Sequence, residues 1–258
     1  MNKLAENLSR FRLITFDITD TLLRFRTAPA VQYAKVASEF GYPNVDQTNI
    51  AANFPRHFRQ MVEKFPIFGY HHPGEIGGWK DWWQQLVIRV FEASNANIPS
   101  SDLKKIANYL VVSYGTSECW RRCSSAEHLV GDIKQLNKVV GVITNSDPRI
   151  RDVVKSLELP EFDFVLCSYD IGVQKPHRDI FQAALKLADQ SIVAEECLHI
   201  GNTPHLDYLG AHEAGWSSVL ITNNSDNWRE FSAKIDATKV FPTLRQFHEA
   251  LKNKSLNL

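Results

Sequence analysis

Short apolar runs at 13–16, 139–143, 164–167, 198–200 and 219–221 are each closed by polar or turn-forming residues and predict buried strands. They show no polar alternation, which is the pattern of strands covered on both faces. Between the last four runs lie stretches with helical spacing, at 149–157, 179–187 and 206–214. Strands and helices that alternate in this way predict an α/β fold whose core is a doubly wound parallel sheet of Rossmann-like type.

The stretch from about 25 to 118 behaves differently, with long helical patterns and no clean alternation of strands. Trp79, Trp82, Trp83, Leu86, Val87, Val90 and Phe91 recur at helical spacing and so share one face of a helix. Core packing is the expected role of that stripe, with ligand stacking as the alternative. Before it, Phe68 to Gly78 is punctuated by Gly and Pro and reads as a connector, with a loop that faces a substrate as the alternative. Adjacent His71 and His72 lack metal-ligand spacing. The expected division is therefore a core domain of 1–24 and 119–258 and an inserted helical domain of 25–118.

Composition narrows the partners. Among 258 residues, 44% are apolar and 22% charged, which is the balance of a globular chain with enough apolar surface for a packed core. Lys plus Arg equals Asp plus Glu at 29 each, and no basic stripe stands out, so nucleic acid is not an expected partner. No run approaches the ~18 apolar residues of a membrane span, and the first residues lack the apolar region of a signal peptide. An intracellular, cytoplasmic protein is expected. Cys119, Cys123, Cys167 and Cys197 read as structural thiols, two of them inside strand-like runs. The sequon Asn223-Asn224-Ser225 carries no weight in such a protein.

The chemistry gathers at the ends of the predicted strands. Asp17 follows the first strand directly, at the carboxyl edge where open α/β sheets bind ligands. The segment Phe16-Asp17-Ile18-Thr19-Asp20-Thr21-Leu22 resembles the nucleophile motif of the haloacid dehalogenase-like hydrolase superfamily, usually Asp-x-Asp-x-Thr and an apolar residue. Three further motifs resemble that family in order. They are an apolar strand ending in Thr144 and Asn145, Lys175-Pro176 before a helix, and Gly201-Asn202-Thr203 with Asp207. By Arg12 to Phe25 and Glu196 to Gly201 the chain resembles the haloacid dehalogenase-like hydrolase domain-containing protein 3 group. The resemblance implies a helical cap inserted between the first and second motifs, which is where 25–118 falls.

It also implies roles. Asp17 is the expected nucleophile, forming a covalent acyl-phosphate or ester. Thr144 and Asn145 stand at the second motif, where Thr144 donates to the transferred group, and Lys175 supplies positive charge. Mg²⁺ in the family's phosphatases lies on the positions held here by Asp17, Thr19 through its carbonyl, Asn202 and Asp207. Arg24 and His205 are candidates for contact with a small anionic metabolite, and His177 lies in the third-motif loop.

Two residues depart from the pattern. Thr19 stands where the phosphatases carry their general acid and base, a function typically worth ~10² to 10⁴ in rate. Asn202 replaces a metal-binding acid by a neutral amide, so Mg²⁺ is expected to be weakened or absent. Asp20 takes a position commonly held by Gly, and Asp tolerates a left-handed turn. The expectation is a phosphatase of slow turnover acting through an aspartyl-phosphate on Asp17. The alternatives are a metal-independent hydrolase similar to the 2-haloacid dehalogenases, or a non-catalytic binding protein that kept the fold.

Overall fold

The computed structural model describes residues 2–223 and 226–258. Asn224 and Ser225 of the sequon lie outside the described residues. The chain divides into two compact units, one of 1–24, 122–145 and 158–258, the other of 25–121 and 146–157.

The first unit holds a six-stranded parallel sheet. Its strands are β1 (Leu13–Phe16), β4 (Val139–Thr144), β5 (Phe164–Cys167), β6 (Cys197–Gly201), β7 (Ser217–Ile221) and β8 (Val240–Phe241). They run in the order β5-β4-β1-β6-β7-β8. Two short strands, β2 (Leu23–Phe25) and β3 (Trp120–Arg122), form a separate sheet where the insert begins and ends. The five expected strands are all present. β2, β3 and β8, of two or three residues each, are too short to leave a hydrophobic pattern.

All four residues of β1 are buried, as central strands require. The chain leaves β1 to build β4 and β5 on one side of it, then returns to build β6, β7 and β8 on the other. In sheets of this topology ligands usually bind at the carboxyl ends of the strands beside such a reversal, here beside β1. Register fixes what faces it. Phe16 pairs with Val142 and with Ile200, so Asp17, Ile143 and Gly201 come level just beyond the ladder. One side of the sheet is covered by the helix Arg178–Ala188, whose Ile180, Phe181 and Ala184 join Leu13, Ile143, Cys197 and Trp216 in one apolar cluster.

The second unit is helical. Pro29–Glu39, Gln47–Lys64, Trp79–Ala93 and Ser100–Ser113 are its long helices, and the second starts at Asp46, whose carboxylate accepts from the Thr48 and Asn49 amides. Most of the expected stripe is core: Trp82, Leu86, Val87, Val90 and Phe91 are buried together with Ile50, Met61, Leu103 and Ile106, Trp83 packs partly buried against them, and Trp79 stays outside the cluster. Trp82 Nε1 donates to the Phe65 carbonyl at 2.9 Å, satisfying the polar end of a large buried ring. In the preceding connector, Gly69 takes φ +77° with Ile76 against it, leaving no room for a Cβ.

The helix Arg149–Ser156, expected over the sheet, groups with this unit. Arg149 forks onto Asp147 through Nε at 2.8 Å and Nη2 at 2.7 Å, and lies 4.9 Å and 5.2 Å from the ring centres of Trp79 and Trp83. Trp83 Nε1 donates to the same Asp147 carboxylate at 2.8 Å.

Candidate active site

Asp17, Thr144, Lys175 and Asp207 are buried at the carboxyl edge of the sheet, each on a segment that leaves a strand or enters a helix. Asp17 is anchored by its main chain, which donates to the Ile200 carbonyl at 2.9 Å. The chain then turns sharply: Asp20 has φ 60° and its amide donates to the Leu23 carbonyl at 2.6 Å. The left-handed turn expected at Asp20 is present.

Lys175 is the centre of the site. Its ammonium donates to Asp17 Oδ1 at 2.8 Å, to Asp207 Oδ1 at 2.6 Å and to the Ile143 carbonyl at 2.8 Å. A lysine has three such protons, so all are committed. The loop carrying it is held by Asn145, whose side-chain amide donates to the Lys175 carbonyl at 2.9 Å and accepts from the Lys175 amide at 2.8 Å. Asn145 therefore grips the lysine's backbone rather than presenting its amide to a substrate.

Asp207 lies in a π-helix, Pro204–Leu209, of the kind frequent at functional sites. The expected helix over 206–214 is this π turn followed by Gly210–Glu213. Asp207 Oδ1 receives Lys175 and faces His199 Nε2 at 3.2 Å, while Oδ2 accepts from the Thr203 amide at 2.8 Å. Gly201 makes this approach feasible, because a Cβ there would lie 2.3 Å from Asp207 Cγ. The glycine of the fourth motif thus clears space for the acid six residues on.

Electrostatics follow from burial and from one cation shared by two carboxylates. Burial raises the Asp17 pKa to about 6, with Asp207 adding repulsion and Lys175 pulling the other way. Asp207 moves oppositely: burial is outweighed by Lys175 and by the His199 hydrogen bond, and its pKa falls below the ordinary carboxylate value. Burial opposes charge on Lys175 as well, but the two carboxylates outweigh it and its pKa rises. Burial lowers the pKa of His199, which is enclosed in β6 with Nδ1 2.8 Å from Thr15 Oγ1.

For a metal, the donors that remain are few. Both oxygens of Asp207 are engaged, and the Asn202 amide oxygen is neutral and accepts from the Thr203 hydroxyl at 3.3 Å. Of the Asp17 carboxylate, Oδ1 is held by Lys175 and Oδ2 accepts from the Thr21 hydroxyl at 3.5 Å. Among the described residues, no three or more His, Cys, Asp or Glu side chains gather as a metal-binding group. With Asp17, Asp207 and Lys175 ionised, the cluster carries one net negative charge. These residues do not fit a resident Mg²⁺, which takes carboxylate charge at close octahedral geometry.

The remaining candidates lie apart from this cluster's hydrogen bonds. Arg24 is exposed, with Nε 3.4 Å from Cys123 Sγ. His205 is exposed on the π turn, its ring stacked at 6.5 Å on Phe231. His177 caps the helix Arg178–Ala188, accepting at Nδ1 from the Asp179 amide. Thr19 is partly exposed beside Asp17. Sequence reading missed Thr15 and His199 as site residues; a histidine inside an apolar strand was the available signal.

Comparison with known proteins agrees with this geometry. The family model described as haloacid dehalogenase-like hydrolase matches residues 11–215. The rhythmically expressed gene 2 protein of Drosophila melanogaster is 37% identical over 255 residues, covering 96% of this chain and 97% of that one. The haloacid dehalogenase-like hydrolase domain-containing protein 3 of Bos taurus is 31% identical over 213 residues, 82% of each chain. Among solved structures, the HAD-hydrolase YfnB from Bacillus subtilis, bound to magnesium, aligns with TM-score 0.66 at 19% identity over 94% of this chain and 99% of its own. A 2-haloacid dehalogenase from Pseudomonas syringae aligns with TM-score 0.62 at 23% identity over 93% and 98%. The motifs, the strand order around Asp17 and these matches agree, and the chain belongs to the haloacid dehalogenase-like hydrolases.

Proposed function

We propose that this chain is a hydrolase of slow turnover that acts on a small anionic metabolite through a covalent adduct on Asp17, most directly a phosphatase forming an aspartyl-phosphate. The observation that carries the reading is the buried Lys175 ammonium, fixed between Asp17 and Asp207. It supplies the charge that keeps a buried carboxylate available as a nucleophile near neutral pH. Asp17 Oδ2 is the oxygen that Lys175 leaves for attack.

In the first step a bond forms from Asp17 Oδ2 to phosphorus and the bond from phosphorus to the leaving oxygen breaks. The Thr144 hydroxyl, buried at the end of β4, donates to the transferred group, and Asn145 keeps the Lys175 loop in register. Thr19 has no proton acidic enough for a departing alkoxide. The favoured substrates are therefore those whose leaving group needs none, such as acyl or aryl phosphates. In the second step water attacks phosphorus and frees the Asp17 carboxylate, unaided by a base at Thr19, so the adduct persists. In this reading residues 25–118 are the helical cap domain, and Arg24 and His205 stand as candidates for a substrate anion. The neutral Asn202 and the engaged Asp207 favour catalysis without a resident metal, the protein working inside the cell.

The same two features favour a second reading, hydrolysis of a carbon-halogen bond. A halide leaves without a proton, and a haloacid adds only one negative charge to the site. Incubation with acetyl phosphate, p-nitrophenyl phosphate and 2-chloropropionate, in EDTA and in Mg²⁺, separates the readings. Phosphate release that is little changed by EDTA and absent in Asp17→Asn supports the first. Chloride release alone supports the second.

A further inference from the structure

Behind the cluster of two acids and a lysine lies a histidine that the proposed reaction does not touch. His199 is the middle residue of β6, level with Thr15 of β1 and Ser218 of β7, and is fully enclosed. The Phe181 ring meets it edge-on at 5.5 Å. Its Nε2 is 3.2 Å from Asp207 Oδ1 and its Nδ1 is 2.8 Å from Thr15 Oγ1.

These distances set the protons. An ionised Asp207 only accepts, so the imidazole proton sits on Nε2, and Nδ1 takes the hydroxyl proton of Thr15. Both ring nitrogens are satisfied, which is what a fully buried polar ring requires. Leu198 and Ile200, its neighbours on β6, show that aliphatic side chains pack in this strand. What the imidazole adds is a donor aimed at Oδ1, the same oxygen that receives Lys175.

We infer that His199, its proton placed by Thr15, is a positioning residue that fixes the Asp207 carboxylate so that Oδ1 meets Lys175, and through Lys175 aligns Asp17. The catalytic consequence rests on Asp17 as the nucleophile; the alignment of Lys175 does not.

The test uses the full chain and two readouts. One is the ammonium resonance of Lys175 in ¹⁵N-labelled protein, assigned by its loss in Lys175→Gln. The other is the rate at which an acid-stable phosphoprotein forms from acetyl phosphate. In His199→Leu the resonance shifts or vanishes and the rate falls by about 10²-fold, the usual loss when a reacting group is misplaced by an ångström. His199→Gln, whose side-chain amide donates from nearly the position of Nε2, restores most of both. A Lys175 resonance unchanged in His199→Leu overturns the inference. If the resonance moves as expected but wild type forms no phosphoprotein, the alignment stands and the nucleophilic reading fails. Should His199→Leu not fold, Thr15→Val decides, since it keeps the shape of a strand residue and removes only the hydroxyl. A resonance altered in Thr15→Val and preserved in His199→Gln supports the inference, and one unaltered in Thr15→Val overturns it.

Discussion

One ammonium between two buried carboxylates leaves a residual charge, and the imbalance falls on Asp17. Its pKa of about 6 in the folded chain stands above the unfolded value of 3.8. Below pH 3.8 both states hold the proton and Asp17 adds no penalty. As pH rises toward 6 the unfolded chain releases the proton first, so stability falls, then levels off above that range. A shift of about two units corresponds to ~3 kcal/mol. Asp17→Asn should therefore raise the unfolding free energy at pH 7 by up to that order and flatten its dependence between pH 4 and 6. Urea denaturation across that range measures both, and destabilisation at pH 7 would count against the assigned charges. Lys175→Gln should do the reverse, because it leaves Asp17 and Asp207 buried without a cation; loss of one partner from a buried pair typically costs ~3–5 kcal/mol. At this scale the positions of Asp17, Thr144 and Lys175 were legible from sequence, since Asp17 follows a strand, Thr144 ends one and Lys175-Pro176 precedes a helix, in a known order. The direction of the Asp207 oxygens was not, because it depends on a π turn and a glycine gap that only the folded backbone creates.

Elements bring these groups together through close packing. Gly201 ends β6 against Asp207, and Gly210 meets Pro176, where a Cβ would lie 2.9 Å from the proline ring. Overpacking such a contact costs ~1–3 kcal/mol and displaces its neighbours. Gly201→Ala should fold with a lowered melting temperature and lose the Lys175 ammonium resonance; retention of a wild-type resonance would show that Asp207 is held some other way. In the helical unit, Asp147→Ala strips Arg149 of its carboxylate and Trp83 of its acceptor. The side chains of Arg149 and Asp147 are 12% and 6% exposed, so a loss of ~3–5 kcal/mol is expected. It should appear with a change in tryptophan emission, and a loss under about 1 kcal/mol would show that the cluster adds little to stability. The tryptophan stripe was readable from its period, whereas the pairing of Asp147 with Trp83 joins residues 64 positions apart, a distance that no local pattern spans.

For the molecule as a whole, the sheet order around β1 gathers the four motifs at one edge, and the motif order along the chain anticipated that arrangement. What the chain lacks is as defining as what it keeps. Thr19→Asp combined with Asn202→Asp returns an acid-base group and a second metal carboxylate. It is expected to accelerate phosphate release by ~10² or more and to make it Mg²⁺-dependent; no gain would mean that the pocket has diverged beyond those two positions. In the proposed reaction Asp17 forms a covalent adduct that Thr19 is slow to discharge. Acid-quenched incubation with ³²P-labelled acetyl phosphate, followed by peptide mapping, reads that adduct. Label on Asp17 that persists longer than in Thr19→Asp is the predicted result; no label on Asp17, or equal incorporation in Asp17→Asn, would contradict it.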